Sequence, residues 1–303
     1  MKKLTVFFCL FLIFSATWAQ KTDLKLNLKV GETYSQKNQS SMSIAQNVQG
    51  MEMDIAMKML GEMTYLVKDF SDGVYDMEVQ YKHIELDMQM PQGGGMKLKS
   101  GDDTNPMSKM FTNMVGVPFS IKVTQYGRIQ ELAGFENLYV KMFQDFPGIS
   151  EEQKAQMKEQ VSGTFGEESL RGNLEMIMAI YPTEQVAVGE NWTIESQLSS
   201  GVNTLVNTAY TYLGTDESYH KISGMGSINS NPNAVEMQGM SVKSEMTGTM
   251  KSDILLDKKT GWVYEARVSQ EIEGATVLEG NPQMPDGMRI PMKMKADLLF
   301  TDK

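Results

Sequence analysis

The sequence predicts an α+β protein: mainly antiparallel β-sheet, built as two related β units, with a helical insert covering a sheet face. Three observations lead there. Apolar and polar residues alternate over Leu24 to Lys99 and again after Pro182, the period of half-buried strands. Between these stretches the period changes to three and four residues, that of amphipathic helices. Three short segments then recur in the same order. Val30-Gly31-Glu32-Thr33-Tyr34-Ser35 returns as Val188-Gly189-Glu190-Asn191-Trp192-Thr193, and Gly73-Val74-Tyr75-Asp76 as Gly261-Trp262-Val263-Tyr264-Glu265. Met88-Gln89-Met90-Pro91-Gln92 returns as Gln283-Met284-Pro285-Asp286-Gly287. The offsets are 158, 188 and 194 residues (189−31, 261−73, 284−90), a drift that insertions alone explain.

The elements follow in order. Lys2 and Lys3 precede an apolar run from Leu4 to Phe14, and Thr17-Trp18-Ala19 sets small residues around a cleavage point before Gln20. The run is shorter than the roughly 20 residues needed to span a bilayer, so residues 1–19 read as a signal peptide. A first β unit follows over 20–104. Leu24, Leu26, Leu28 and Val30 alternate as a strand. Met51, Met53, Ile55, Met57 and Met59 alternate with polar residues, placing methionines on one strand face. Ser71-Asp72-Gly73 is the turn of a hairpin.

A helical insert with one hairpin occupies 105–181. Asn105-Pro106 is a cap followed by proline at the first helical position, and Met107, Met110, Phe111 and Met114 share one face behind it. A hairpin turns at Tyr126-Gly127. Phe135, Leu138, Met142 and Phe146 form a second stripe. Ser150 and Gln153 form a capping box for a polar helix from Glu151. Leu170, Leu174, Ile177 and Tyr181 form a last stripe, stopped by Pro182. The second β unit spans 182–303, with a hairpin at Asp257 to Gly261 and a closing strand from Lys293 to Phe300. Asn229 to Asn233 and Gly280 to Pro291 read as irregular stretches.

Composition narrows the function. The only cysteine of the 303 residues is Cys9, inside the leader, so the remaining chain has no thiol for catalysis, zinc or disulfide chemistry. Without residues 1–19 the net charge is 26 − 38 = −12, which repels nucleic acid. His83 and His220 are the only histidines and have no histidine neighbour at metal-ligand spacing. No G-x-S-x-G elbow occurs. Gly224-Met225-Gly226-Ser227-Ile228-Asn229 lacks the last glycine and the βαβ context of a dinucleotide loop. The acidic pairs Glu151-Glu152 and Glu167-Glu168 suit helix first turns.

Methionine is the outlier, at 27 residues against 12 Phe and 11 Tyr. Met51, Met53, Met57 and Met59 lie on one strand face, and thioethers select Cu(I), which gives a metal reading. The competing reading is that flexible methionines fill or line an apolar interior. Met107, Met110, Met114, Phe135, Leu138 and Met142 would then bound an apolar cleft between helices and sheet.

Val30-Gly31-Glu32-Thr33-Tyr34, Gln46-Asn47-Val48-Gln49-Gly50-Met51 and Tyr181-Pro182 leading into Val186 to Trp192 together resemble an uncharacterised domain-of-unknown-function family of exported proteins from Gram-negative bacteria. The resemblance covers most of the chain after the leader. It implies export and β-rich architecture and carries no activity or catalytic residue. The expected protein is exported, soluble and non-catalytic, periplasmic or extracellular. It binds an apolar small molecule or lipid in the cell envelope, needs no cofactor and binds no nucleic acid. The alternatives, in order, are a structural or interaction module with an envelope protein partner, an unrecognised hydrolase, and a Cu(I) carrier.

Overall fold

The computed structural model describes residues 21–302, apart from 92–93, 103, 145–151, 153–165, 200–202, 231–234, 238–239 and 280–286. The first half holds β1 (Thr33–Val48), β2 (Met51–Ser71), β3 (Val74–Gln89), β4 (Gly95–Lys99), α1 (Pro106–Met114), β5 (Phe119–Thr124), β6 (Ile129–Ala133) and α2 (Glu136–Met142). Helix α3 (Glu167–Met178) leads to β7 (Asn191–Ser199), β8 (Asn203–Thr215), β9 (Tyr219–Ser230), β10 (Val235–Met237), β11 (Met240–Asp257), β12 (Val263–Leu278) and β13 (Met288–Thr301).

All the strands form a single antiparallel sheet. Its order is β6-β5-β3-β2-β1-β13-β12-β11-β9-β8-β7, with β4 beside β3 and β10 beside β11. The chain starts in the middle at β1 and meanders outward to β6. The helical stretch carries it to the opposite edge, and a second meander runs inward until β13 pairs with β1. The two β stretches of the sequence are therefore one sheet. The closing strand seals its centre.

Local sequence explains the elements. Asn105 accepts the Met107 N–H at 3.0 Å, and Pro106 opens α1 where a missing N–H costs nothing. Asp72 and Gly73 both adopt positive φ in the β2–β3 turn, the conformation a tight hairpin needs. The predicted stripe Leu170, Leu174, Ile177 and Tyr181 is buried at the end of the sheet. Phe146, the helix expected from Glu151, and most of the two irregular stretches lie outside the described residues.

Helix α3 packs on edge strand β7 and also touches the opposite edge strand β6. Glu175 accepts the Ile129 N–H at 2.9 Å, and Arg171 donates to the Ile129 carbonyl at 3.0 Å, so side chains of α3 satisfy both backbone groups of the residue that opens edge strand β6. Arg128, just before β6, donates to the Glu195 carbonyl of β7 at 3.0 Å. At this end the sheet is rolled far enough that its edges face each other across α3.

Leu24 to Leu28 depart from the expected strand. Their alternation is real, and all three leucines are buried, but the segment joins no ladder. It runs as a strap across the loops at the rolled end. Thr22 bridges Val186, Leu26 N–H donates to Gln125 O at 2.8 Å, and Asn27 N–H donates to Thr260 O at 2.7 Å. The Tyr75 hydroxyl accepts from Leu28 N and donates to Leu26 O. Tyr181 donates to Gly261 O at 2.7 Å beneath it.

Of the three repeated segments, one repeats in structure. Gly31 and Gly189 have φ of 86° and 87°. Gly31 N–H donates to Val67 O and Gly189 N–H to Tyr212 O, each at 2.8 Å, and the return bonds Val67 to Glu32 and Tyr212 to Glu190 also match. Each motif opens a hairpin, β1–β2 and β7–β8. Gly73 and Gly261 lie in turns that are not equivalent in strand order, second to third in one meander and fourth to fifth in the other. The third match falls partly outside the described residues.

Candidate ligand face

The alternation along the strands gives the sheet one apolar and one charged face. Near the rolled end the apolar face is sealed. Tyr65 and Val67 of β2, Met77 and Val79 of β3, Ile121 and Val123 of β5, and Phe300 of β13 are buried against the helices and the strap. Trp262 packs its ring against Tyr34 and Tyr65, at centroid separations of 5.4 and 5.3 Å, and donates to Ser35 O. Burial pushes the Tyr65 and Tyr181 phenols up, and Tyr210 up to about 12, so these hydroxyls stay neutral at ordinary pH.

Five of the six residues expected to bound a helix–sheet cleft belong to this packed region. Met110, Met114, Phe135, Leu138 and Met142 are buried in the core cluster, and Met107 stands outside it at 39% exposure. Helix α1 packs on α2, β3 and β4. An apolar stripe shows that a helix face is covered; here the covering is protein.

Further along the same strands the apolar face continues with a different composition. Met53, Ile55, Met57 and Met59 of β2, Met42 and Ile44 of β1, and Met292 and Met294 of β13 all point to it and are half-buried. Met51, at the hairpin tip, is 62% exposed. Register aligns them across strands. Met96 pairs with Met88, Met88 with Met57, and Met57 with Met42, an unbroken methionine row over β4, β3, β2 and β1. The adjacent row runs Ile55, Ile44, Met294, Ile272. Sequence reasoning singled out Met51, Met53, Met57 and Met59, missed Met42 and Met96, and could have reached them only by knowing the strand register.

Polar residues also stand on this face: Gln36, Asn38, Ser40 and Gln46 of β1 occupy the same alternate positions as Met42 and Ile44 along it. Gln270 of β12 donates its amide toward the sulfurs of Met250 and Met176, at 3.6 and 3.7 Å, which brings α3 to the boundary between the two regions. Asn38 Oδ1, Ser244 Oγ and Ser252 Oγ are buried on the same face without a hydrogen-bond partner.

The opposite face is charged and cross-linked. Lys37 pairs with Glu62 at 3.1 Å and Lys295 with Glu271 at 3.0 Å, while Lys97 reaches Glu85 and Asp87. Two open concavities lie on this side. One, of about 910 Å³, is lined by Lys58, Lys97, Lys251 and Arg267 together with Glu85, Asp87, Asp253 and Asp297. The other, of about 590 Å³, is lined by Glu52, Asp54, Glu245, Glu273 and Lys293. Their charge is mixed and exposed, and surface pairs of this kind contribute little energy.

Both histidines have structural partners. His83 Nδ1 lies 2.9 Å from Ser100 Oγ, and His83 Nε2 lies 3.7 Å from Glu85. That string has the residue types of a nucleophilic triad, but Ser100 is buried and its oxygen also accepts the Ile84 N–H. It ties β3 to the end of β4 where the β2–β3 register shifts. His220 lies 3.0 Å from the Tyr212 hydroxyl, and burial holds its pKa below the usual imidazole value. Among the described residues no three His, Cys, Asp or Glu side chains are grouped to hold a metal ion. Among them, too, no helix is long and apolar enough to cross a membrane.

A family model matches residues 72–263. The chain belongs to a family of unknown function (DUF6263). The match spans β3 through the start of β12 and so includes the whole helical stretch. No curated protein sequence matches the chain. Among solved structures, lipovitellin, described for its lipid–protein interactions, is similar at a TM-score of 0.47 and 10% identity, over 91% of this chain and 26% of that one. The chain thus spans about a quarter of lipovitellin's length. The outer membrane protein OprG from Pseudomonas aeruginosa is similar at a TM-score of 0.22 and 7% identity, over 90% and 97% of the two chains. A DUF1329 family protein from Desulfovibrio piger gives 0.14 and 10%, over 88% and 85%. At these values none of them bears on the function.

Proposed function

We propose that this protein is an exported, non-catalytic binder of an apolar small molecule, with a lipid acyl chain as the favoured occupant. The observation that carries the reading is the half-buried methionine and isoleucine face of β1, β2 and β13, continuous with a sealed core on the same strands. Methionine suits such a face because three torsions and a polarizable sulfur let it conform to different apolar shapes. The unpaired oxygens of Asn38, Ser244 and Ser252 on the same face add a few fixed polar points, the mixture that orients an apolar ligand. Export rests on the amino-terminal pattern of residues 1–19.

The test is native mass spectrometry of protein purified from the cells that make it, with uptake of an environment-sensitive apolar dye. The expected result is a co-purifying lipid that is displaced by the dye, and dye uptake reduced when Ile44 and Ile55 are both replaced by Asn. Protein that carries no lipid and takes up no dye would overturn the reading. Export is checked separately, by intact mass: the expected mature chain begins at Gln20.

A further inference from the structure

We propose that Met42, Met57 and Met88 form a binding site for a soft monovalent metal ion, Cu(I), with Met96 as a neighbouring thioether. The site goes beyond the apolar-ligand reading, because it uses the sulfur atoms and not only the apolar surface.

The argument begins with register. Met57 pairs directly with Met42 on one side and with Met88 on the other, and Met88 pairs with Met96. The alternation of each strand turns all four side chains to one face. Cα atoms of directly opposed antiparallel residues are about 4.5–5.5 Å apart. Three torsions per side chain then let the sulfurs of three adjacent strands meet at one point with no backbone movement.

Chemistry selects the ion. Thioethers are soft, neutral ligands and favour Cu(I) over zinc, calcium or magnesium, which take nitrogen, thiolate or oxygen donors. The surroundings agree. Leu86 and Leu98 flank the row on its core side and Ile44 and Ile55 on the other, so charged ligands of harder ions are kept away from the sulfurs. Half-burial leaves the row reachable by an ion while the neighbours limit water.

The site differs from the one expected from sequence. Met51 is exposed at the hairpin tip, and Met53 pairs with Gln46, so those two stand apart from the row. Met57 alone of the original four has a thioether opposite it on both sides.

The experiment is anaerobic titration of the purified chain with Cu(I) held by a chromophoric chelator, and with Ag(I) as a second soft probe. One ion should be withdrawn per chain. The double variant Met57→Leu/Met88→Leu keeps the face apolar and removes two sulfurs. It should bind Cu(I) at least about tenfold more weakly, the lower end of what even outer-sphere changes cost a metal site. Met225→Leu, on the exposed charged face of β9, should bind as the parent does. Failure of the parent to compete with the chelator, or unchanged affinity in the double variant, overturns the proposal. Dye uptake by the parent separates the two readings: a chain that takes up dye but withdraws no Cu(I) overturns the metal site alone, and one that withdraws Cu(I) but takes up no dye overturns the apolar-ligand reading alone.

Discussion

Tyr65 and Val67 are sealed near one end of β2, while Met57 and Met59, on the same face of the same strand, are half-buried. The strand alternation is identical in both regions. What differs is what lies over it. At the rolled end α3 packs on β7, β6 and β12, α1 packs on β3 and β4 with α2 against it, and the leucine strap crosses the turns. In the other region the face carries methionine and isoleucine, with Ser40 and Gln46 of β1 among them. One strand pattern can therefore serve a fixed core and an adaptable surface, and methionine serves both: Met77, Met110, Met114 and Met142 are sealed in the core, while Met42, Met53, Met57 and Met59 are half-buried.

This contrast can be broken most directly by truncation. Leu138→Ala, in α2 within the sealed region, should lower stability by about 2–5 kcal/mol, measured as a shift in urea midpoint at constant slope. A cost under about 1 kcal/mol would mean that the helices are loosely docked. Gly261→Ala should cost at least about 2 kcal/mol, because φ there is 67° and a Cβ would lie 2.0 Å from the Lys25 carbonyl, lifting the strap. Limited proteolysis within residues 21–30 should rise in parallel. Met57→Ala should cost only about 1 kcal/mol or less, since a half-buried side chain forfeits little burial. A large loss would show that the methionine face is packed as tightly as the core.

The smallest effect is the one that depends on pH. The backbone N–H of Ser218, the Lys221 ammonium and the backbone N–H of Tyr219 hold the Asp216 pKa down to about 2 from 3.8. A depressed carboxyl stabilises the fold above its unfolded pKa and loses that contribution as pH falls through the folded value. Asp216→Asn should therefore lower the melting temperature at neutral pH and flatten its fall between about pH 4 and pH 2, so that variant and parent converge in acid. A steeper fall in the variant would reverse the assignment.

Sequence legibility followed the range of the interaction. The Asn105-Pro106 cap, the Asp72-Gly73 turn and the stripe of α3 were readable because each is decided within a few residues. The pairing of β1 with β13 was not, because nothing local to Lys37 to Gln46 specifies a partner at Met292 to Thr301. The strap shows the same limit. Alternating leucines announce two faces, and only tertiary contacts reveal that the backbone bonds go to turns. The stripes of α1 and α2 announced burial without saying whether protein or ligand does the burying. The methionine row depended on register across four strands.

The β1–β13 seam also sets an order of events. Asn27 bonds the carbonyl of Lys259, 232 residues away, and Asn38 pairs with Phe300. One whole edge of β1, a strand made early, stays unpaired until the last strand has been synthesised. Contacts this distant in sequence form slowly, and an open strand edge in the meantime invites pairing with other chains. The sheet therefore cannot close before β13 has emerged, and until then that edge of β1 is open to pairing with other chains.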